Sequence, residues 1–381
     1  MQHRAIGKTG VMASALGFGC MRLPVIDGQS DRIDTAAATR LLHDAIDRGV
    51  NYVDTAYFYH AKVFGQAGAS EPFVGEALSG GWRDRVNLAT KLPVHILEAP
   101  EQMETFLAEQ LERLRTDHID FYLLHGLSGE SWDKCVRFGA LEFLDRAVAD
   151  GRIRFPAFSF HGELPDFKRI VDARDWAFAQ IQYNYMDTDF QAGEAGLRYA
   201  ADKGIGVVVM EPLKGGKLAT GLPADVAAIF AEADPSRSPA EWALRYVWSD
   251  SGVSLLLSGM NAAEQLDENL RVAETALPGS LSDAERALFV RARDLMASRI
   301  KADCTKCGYC QPCPSGVEIP NVLAALNKAA IWDDPNMWTS GYLRVSGKAS
   351  LCTECGQCED MCPQGLPIRD LMKEAVELFG E

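Results

Sequence analysis

Cysteine is almost absent from the first 300 residues of the chain: of its ten cysteines, only Cys20 and Cys135 lie before residue 304. A long apolar run is missing too, since no stretch approaches the roughly 18 apolar residues of a membrane span. The first residues, MQHRAIGKTG, lack the apolar core of a signal peptide. These absences argue against a disulfide framework and predict a cytoplasmic protein without a membrane segment.

Basic residues are also scarce. The 38 lysines and arginines face 53 acidic residues, for a formal net charge of −15, and this charge predicts that the protein binds no nucleic acid. The chain is long, however. Its 381 residues, 47% of them apolar, are enough for a barrel of roughly 250 residues and a smaller module. We place the boundary after residue 295, with residues 1–295 as the barrel and 296–381 as the module.

Short apolar segments that favour strands alternate with helical patterns such as Pro100–Leu114 through the first part of the chain. Eight such units predict an α/β fold, the closed (β/α)8 or TIM barrel. A doubly wound sheet is less favoured because no G-x-G-x-x-G opens the first helix. The candidate strands are Leu16–Gly19, Asn51–Asp54, Val86–Lys91, Ile119–Leu124, Phe155–Ser159, Ala179–Gln182, Gly206–Met210 and Ser254–Ser258.

Four side chains of different chemistry lie at or just after the ends of three consecutive candidate strands. They are Asp54 and Tyr59 from VNYVDTAYFY, then Lys91, then His125. Because the chemistry of such barrels lies at the carboxyl ends of the strands, we expect the four to meet. The set suits carbonyl reduction, in which Tyr59 donates a proton while Lys91, positioned by Asp54, lowers the pKa of that tyrosine. His125 is expected to hydrogen-bond the substrate oxygen or to share in proton transfer.

These segments, together with AFSFH, IQYNY and VVVMEPLKGGKL, resemble the aldo-keto reductase superfamily in order, across roughly residues 1–295. The resemblance implies a barrel that binds a nicotinamide cofactor in extended form and assigns catalysis to the same four residues. It also implies that Ser159 and Gln182 hold the nicotinamide carboxamide, with His161 as a polar neighbour. Met210 stands where many members place an aromatic ring against the nicotinamide.

The segment SGMNAAEQLDEN, after the last candidate strand, resembles the family's clamp for the adenosine phosphate. Gly259 and Gln265 occupy positions where members that prefer NADP usually have basic residues, so we expect NAD(P)H to bind without strong selectivity for the 2′-phosphate. Glu268 and Asn269 remain candidates for the adenine. The other candidate contacts to the cofactor are Gly19, Met21, Leu213, Lys214 and Gly215, of which the last two belong to a Lys-Gly-Gly-Lys segment that either cradles a phosphate or forms a plain turn.

The remaining eight cysteines form two runs, CTKCGYCQPCP and CTECGQCEDMCP, and the second has the C-x2-C-x2-C-x3-C-P pattern of bacterial ferredoxins. In two-cluster ferredoxins the fourth ligand of each cluster comes from the other run. This resemblance implies a mainly helical ferredoxin-like domain with two 4Fe-4S clusters. The implied ligand sets are Cys304, Cys307 and Cys310 with Cys362, and Cys352, Cys355 and Cys358 with Cys313. A single cluster on the second run and structural zinc are the alternatives.

The whole pattern predicts an oxidoreductase, an iron–sulfur aldo-keto reductase that acts on a small carbonyl or alcohol substrate and exchanges electrons with a redox partner protein. Nicotinamide carries two electrons as hydride, whereas a 4Fe-4S cluster passes one at a time. FMN in the barrel, with Lys214 or Lys217 near its phosphate, is therefore one alternative. A non-catalytic scaffold with structural clusters is another.

Overall fold

The computed structural model describes residues 1–63, 65–334, 339 and 341–380. The chain forms two compact units. The first consists of Met1–Leu218 and Ala240–Ser282, and the second of Ala219–Pro239 and Asp283–Glu381. Residues 219–239 lie inside the predicted barrel range but belong to the second unit, and the boundary after residue 295 stays a prediction.

The first unit contains a closed barrel of eight parallel strands, which confirms the predicted (β/α)8 fold. Two short strands, β1 (His3–Ala5) and β2 (Met12–Ser14), form an antiparallel hairpin before it. Neighbouring barrel strands follow the order of the chain, and the last one pairs with the first. The barrel strands are β3 (Leu16–Gly19), β4 (Tyr52–Asp54), β5 (Asn87–Leu92), β6 (Ile119–Leu127), β7 (Ile153–Phe160), β8 (Phe178–Gln182), β9 (Gly206–Met210) and β10 (Leu255–Ser258).

Amphipathic helices follow the strands. The first, α1 (Thr35–Asp47), shows why they form: the side chain of Asp34 accepts a hydrogen bond from the N–H of Ala37 and caps the helix. Its buried residues recur at helical spacing and give one apolar face. The other helices of this unit are α2 (Ser70–Ala77), α3 (Gln102–Arg113), α4 (Gly129–Arg137), α5 (Ala140–Ala149), α6 (Leu164–Asp172), α7 (Gly193–Asp202), α10 (Pro239–Trp248) and α11 (Ala263–Thr275), with the short α8 (Lys217–Thr220) after β9.

Apolar side chains fill the inside of the barrel. Tyr52, Phe121 and Phe178 lie there with ring centroids 5.3–6.3 Å apart. Because side chains alternate along a strand, the residue two places after an inward-facing one also faces inward. Asp54 therefore follows Tyr52 and lies above an apolar floor, at the carboxyl ends of the strands.

The second unit is helical in its described part. Helix α9 (Ala224–Ala233) packs against α12 (Asp283–Ala297), with the rings of Phe230 and Phe289 5.4 Å apart. Tyr342 stacks on Phe379 at 4.1 Å in a separate apolar core. The remaining helices are α13 (Ile319–Trp332), α14 (Gln357–Asp360) and α15 (Ile368–Phe379). None of the helices that the structure describes is both long and apolar enough to cross a membrane.

Candidate active site and cysteine cavities

Lys91 is the centre of a buried polar group at the top of the barrel, and its side chain has no exposed surface. Its Nζ donates hydrogen bonds of 2.7 Å to both carboxylate oxygens of Asp54 and to the carbonyl oxygen of Thr55. It also lies 3.1 Å from Oη of Tyr59. Three of the four predicted catalytic residues thus form one continuous network.

The protonation of this network is governed first by burial. Burial alone lowers the pKa of Lys91, but Asp54 and Tyr59 raise it more, so the ammonium is retained. Burial raises the pKa of Tyr59 to about 12, and the opposing influence of Lys91 is smaller. Lys91 lowers the pKa of Tyr59, as expected, but burial outweighs this influence and the net direction is upward, which the sequence does not show.

His125 lies beside this network on β6, where the pairing with β7 shifts register between Leu124 and Leu127. Its ring lies edge-on to that of Tyr59, with centroids 6.2 Å apart. Among the described residues its Nδ1 is buried without a hydrogen-bond partner, so Nε2 is the nitrogen available to a substrate. Burial, followed by the charge of Lys91, holds the pKa of His125 well below its ordinary value. The imidazole is neutral.

The next predicted group lies on β7 and β8. Ser159 is buried, and its Oγ accepts a hydrogen bond of 2.8 Å from the N–H of Gly126. Its register partner on β8 is Gln180 rather than Gln182. Gln180 is 2% exposed, and its Oε1 has no partner in the described part of the chain. The amide of Gln182 instead donates to Asp187 at 2.8 Å.

Gln180 also reaches Met210, with 3.7 Å between Nε2 and Sδ. Ser159, Gln180 and Met210 thus lie together, whereas Gln182 is engaged elsewhere. The sequence does not distinguish Gln180 from Gln182, because residues two positions apart on a strand point to the same side of the sheet. Only the register with β7 shows that Gln180 lies opposite Ser159. His161 lies near this group, exposed, with Nδ1 3.3 Å from Oε1 of Gln191.

Two cavities of the second unit are lined by cysteines. Cys310, Cys313, Cys352, Cys355 and Cys358 line one, and Cys304, Cys307, Cys310 and Cys362 line the other. Each cavity therefore combines both runs, and it contains every member of one of the two implied ligand sets. No group of three or more His, Cys, Asp or Glu side chains among the described residues is arranged to hold a single metal ion. Which cysteines bind iron stays a prediction.

Comparison with known proteins decides the family. Residues 15–283 match the Aldo/keto reductase family. The chain belongs to this family. Residues 303–367 match the 4Fe-4S dicluster domain, so this aldo/keto reductase carries an iron–sulfur domain at its C-terminal end. The two matches support nicotinamide and iron–sulfur cofactors.

Relatives of this aldo/keto reductase include two curated proteins. It is 29% identical to the uncharacterized oxidoreductase YrpG of Bacillus subtilis over 57% of this chain and 68% of that protein. It is 26% identical to L-galactose dehydrogenase of Arabidopsis thaliana over 77% of this chain and 94% of that protein. Among solved structures, the holo form of aldo-keto reductase AKR11C1 from Bacillus halodurans has a TM-score of 0.63 and 27% identity, covering 77% of this chain and 96% of that one.

The loop after β9 in this aldo/keto reductase holds Lys214 in an ion pair. Its Nζ lies 2.6 Å from both carboxylate oxygens of Asp187, so the predicted phosphate contact requires this pair to open. Gly215 has a φ of 68°, a left-handed conformation that glycine adopts without strain. Leu213 packs against the barrel core.

Arg22 is a cation at this rim that sequence reasoning missed. Its guanidinium pairs with Glu211 at 3.3 Å. Its side chain fills the space beside Gly259, where an added Cβ would lie 3.0 Å from Arg22 Cβ. No sequence signal marks this placement, because Arg22 follows β3 whereas Gly259 follows β10. Met21 is exposed, and Gly19 is the last residue of β3.

Three residues of the predicted adenosine-phosphate clamp lie on α11: Gln265 from the phosphate position, and Glu268 and Asn269 from the adenine position. Gln265 accepts a hydrogen bond of 2.9 Å from the N–H of Asn261. Asn269 is 3% exposed and donates to Oγ of Ser258 at 2.9 Å, so its amide faces inward. Glu268 is partly exposed on the same helix. These placements leave Glu268 more accessible to a ligand than Asn269.

Proposed function

We propose that the barrel reduces a small aldehyde or ketone, or oxidises the corresponding alcohol, with NADH or NADPH. The observation that carries this proposal is the contact of 3.1 Å between the buried ammonium of Lys91 and the phenol of Tyr59. When bound, a nicotinamide supplies the hydride. Tyr59 donates its proton to the carbonyl oxygen of the substrate, and Lys91, held by Asp54, stabilises the phenolate that remains.

His125 acts as a hydrogen-bond donor in this proposal. A neutral imidazole carries one proton, and the buried Nδ1 has no acceptor within the described ranges, so the proton belongs on Nε2. That N–H donates to the substrate oxygen and stabilises its developing negative charge. The low pKa of His125 supports this role over proton transfer, because the imidazolium is scarce at neutral pH.

The residues that face each other on β7 and β8 suit a carboxamide. Oε1 of Gln180, which has no partner among the described residues, offers an acceptor to the amide N–H2, and Oγ of Ser159 offers a hydroxyl donor. Both groups are buried, so leaving Gln180 without a partner is costly. We infer that Ser159 and Gln180 hold the carboxamide, with Met210 beside the ring.

The substrate is proposed to be polar and uncharged, because the charged side chains at the mouth of the barrel are paired with each other, Arg22 with Glu211 and Lys214 with Asp187. Electrostatic coupling links His125 to both His95 and His161. Desolvation lowers the pKa of all three imidazoles, most strongly that of His125, because the other two side chains are partly open to solvent. His161 contacts Gln191, and His95 packs against Gly126. A hydroxylated aldehyde fits this lining, and the similarity to L-galactose dehydrogenase supports that class.

The second unit is proposed to hold two 4Fe-4S clusters. Each cysteine-lined cavity contains all four members of one implied ligand set, and thiolates are the ligands that such clusters take. When bound, the clusters supply one-electron transfer. Cys307 and Cys355 are exposed, so each site reaches the surface that a redox partner protein approaches.

Two alternatives have weaker support. FMN is able to split an electron pair between the barrel and the clusters, but Lys214, expected near its phosphate, is engaged by Asp187. A scaffold without catalysis has no use for the ion pair of Lys91 and Asp54, because burying two charges carries a large desolvation penalty.

The test is an assay of the protein purified without oxygen, with NADH and NADPH, against hydroxylated, aliphatic and aromatic aldehydes of similar size. We expect cofactor oxidation with aldehydes, fastest for the hydroxylated ones. No turnover with any of them, and none with the corresponding alcohols at alkaline pH, would contradict the proposal. An optical spectrum of the same sample before and after dithionite distinguishes clusters, flavin and zinc.

A further inference from the structure

A second buried polar network lies behind the strand that carries Lys91. Its centre is Glu71, at the start of α2, whose side chain has no exposed surface. Oε1 of Glu71 accepts hydrogen bonds from Oγ1 of Thr90 at 2.7 Å and from Nε2 of Gln110 at 2.6 Å. Oε2 accepts from Nε of Arg113 at 2.9 Å. The carboxylate is thus satisfied on both oxygens.

This network is bonded directly to the backbone of Lys91. Nε2 of Gln110 donates to the carbonyl oxygen of Lys91 at 3.0 Å. The amide oxygen of Gln110 accepts a hydrogen bond of 2.7 Å from the hydroxyl of Tyr122, which fixes the orientation of the amide. Because side chains alternate along β5, Thr90 points outward to this network while Lys91 points inward to the site.

The same network is bonded to the loop that carries Tyr59. The N–H of Ser70, the residue before Glu71, donates to the carbonyl oxygen of Tyr59 at 3.2 Å. The guanidinium of Arg113 donates to the carbonyl oxygen of Gly68. A Cβ at Gly68 would lie 1.9 Å from the Tyr59 carbonyl oxygen, so the loop packs tightly at this point. One carboxylate therefore connects the strand of Lys91 with the loop of Tyr59.

We propose that Glu71 and Gln110 are positioning residues that fix the separation between Nζ of Lys91 and Oη of Tyr59. The effect expected on turnover rests on the proposed function. Neither residue touches the reacting atoms. Burying a charged network costs more free energy than apolar packing does. The hydrogen bonds of this network connect the two segments of the chain whose side chains, Lys91 and Tyr59, must meet. A displacement of about 1 Å at reacting groups lowers turnover by up to about 100-fold.

The chain offers a matched control on the neighbouring strand β6. Asp120 is also a buried carboxylate, and its Oδ2 accepts a hydrogen bond of 2.9 Å from the N–H of Leu88 on β5. It pairs with Arg83 at 2.8 Å and Arg154 at 2.7 Å. Asp120→Asn therefore perturbs a buried carboxylate on β6 that is bonded to β5 at Leu88, three residues before Lys91, and its turnover should stay within about twofold of the parent enzyme.

The experiment compares Gln110→Leu with Asp120→Asn, each made in the full chain and in the Tyr59→Phe background, with thermal unfolding recorded for all. We expect Gln110→Leu to lower kcat about tenfold or more with unchanged cofactor affinity. In the Tyr59→Phe background the same substitution should lower kcat by less than about twofold, because a positioning effect that acts through Tyr59 is not additive with the loss of Tyr59. Glu71→Gln, which keeps the side-chain shape, should show the same pattern.

Equal losses in both backgrounds, or an unchanged kcat, would overturn the inference, since a general loss of stability acts additively. A crystal structure of Gln110→Leu gives a readout that needs no activity. We expect the separation of Nζ and Oη to exceed about 3.5 Å, compared with 3.1 Å in the parent protein. An unchanged separation would overturn the inference whether or not the parent protein reduces carbonyls. Failure of the parent protein to reduce any carbonyl would contradict only the proposed function.

Discussion

Nζ of Lys91 lies 3.1 Å from Oη of Tyr59, although Lys91 is near the end of a strand and Tyr59 lies in a loop 32 positions earlier in the chain. Lys91 is fully buried and Tyr59 is partly buried, and burial raises the pKa of Tyr59 to about 12. A phenol with this pKa is protonated throughout the neutral range. The protonated phenol can donate a proton during reduction, whereas little phenolate is present to accept a proton during oxidation.

This pKa predicts opposite pH profiles for the two directions. Carbonyl reduction at saturating substrate should be flat from about pH 7 to 9, because Tyr59 stays protonated. Alcohol oxidation should rise about tenfold per pH unit over the same range, because the phenolate fraction rises tenfold per unit below the pKa. Measuring kcat in both directions checks this, and a fall in the rate of reduction with a midpoint near pH 8 would contradict it.

The two glutamines of β8 give a second prediction. Gln180→Ala should weaken NADH or NADPH binding about five- to tenfold, the effect of losing roughly one hydrogen bond to a buried amide. Gln182→Ala should change it less than about twofold, because that amide is bonded to Asp187. Fluorescence titration of the two variants distinguishes them. A larger loss for Gln182→Ala would restore the assignment that the family resemblance implies.

Much of the barrel follows from alternation along the chain. The eight strands were predictable because each buried strand is a short apolar segment followed by a helical pattern. Asp54 and Lys91 were predictable as neighbours because parallel strands present their carboxyl ends at one face. Their contact is confirmed by hydrogen bonds of 2.7 Å.

Other features depend on contacts that the linear sequence does not show. The ion pair of Lys214 and Asp187 joins residues 27 positions apart across two loops. The choice between Gln180 and Gln182 requires strand register, which parity alone does not fix. The pKa of Tyr59 depends on burial, which is a property of the packed barrel.

The cysteine sets predict the result of removing single ligands. The protein made without oxygen should contain about eight irons and eight sulfides per chain. Cys313→Ser and Cys362→Ser should each lower the iron content to about four, because each removes one ligand from a different cavity. Cys135→Ser, at a buried cysteine of the barrel unit, is the control. Stoichiometric zinc without sulfide would contradict the cluster proposal.

His60 predicts an effect of acid on the loop before α1. Its Nε2 accepts from the N–H of Leu23 at 3.2 Å, so its Nδ1 carries the proton and donates to the carbonyl oxygen of Ser30 at 2.5 Å. Burial lowers the pKa of His60 below its ordinary value of 6.5. The stabilisation by the neutral ring is thus present above about pH 6.5 and is lost as pH falls through the lower folded-state pKa.

We expect the amide of Leu23 to exchange hydrogen faster at about pH 5 than at pH 7.5, after correction for intrinsic rates. His60→Gln should remove this difference in exchange, because the amide does not titrate. Equal corrected protection at both pH values in the parent protein would show that His60 does not control the loop.

The central claim is that Tyr59 supplies the proton for carbonyl reduction beside the ammonium of Lys91. The most direct measurement is single-turnover reduction of a simple aldehyde by the parent protein and by Tyr59→Phe, each preloaded with reduced nicotinamide cofactor. We expect a rate at least about 100-fold lower in the variant, with cofactor affinity unchanged. An unchanged rate in Tyr59→Phe would contradict it.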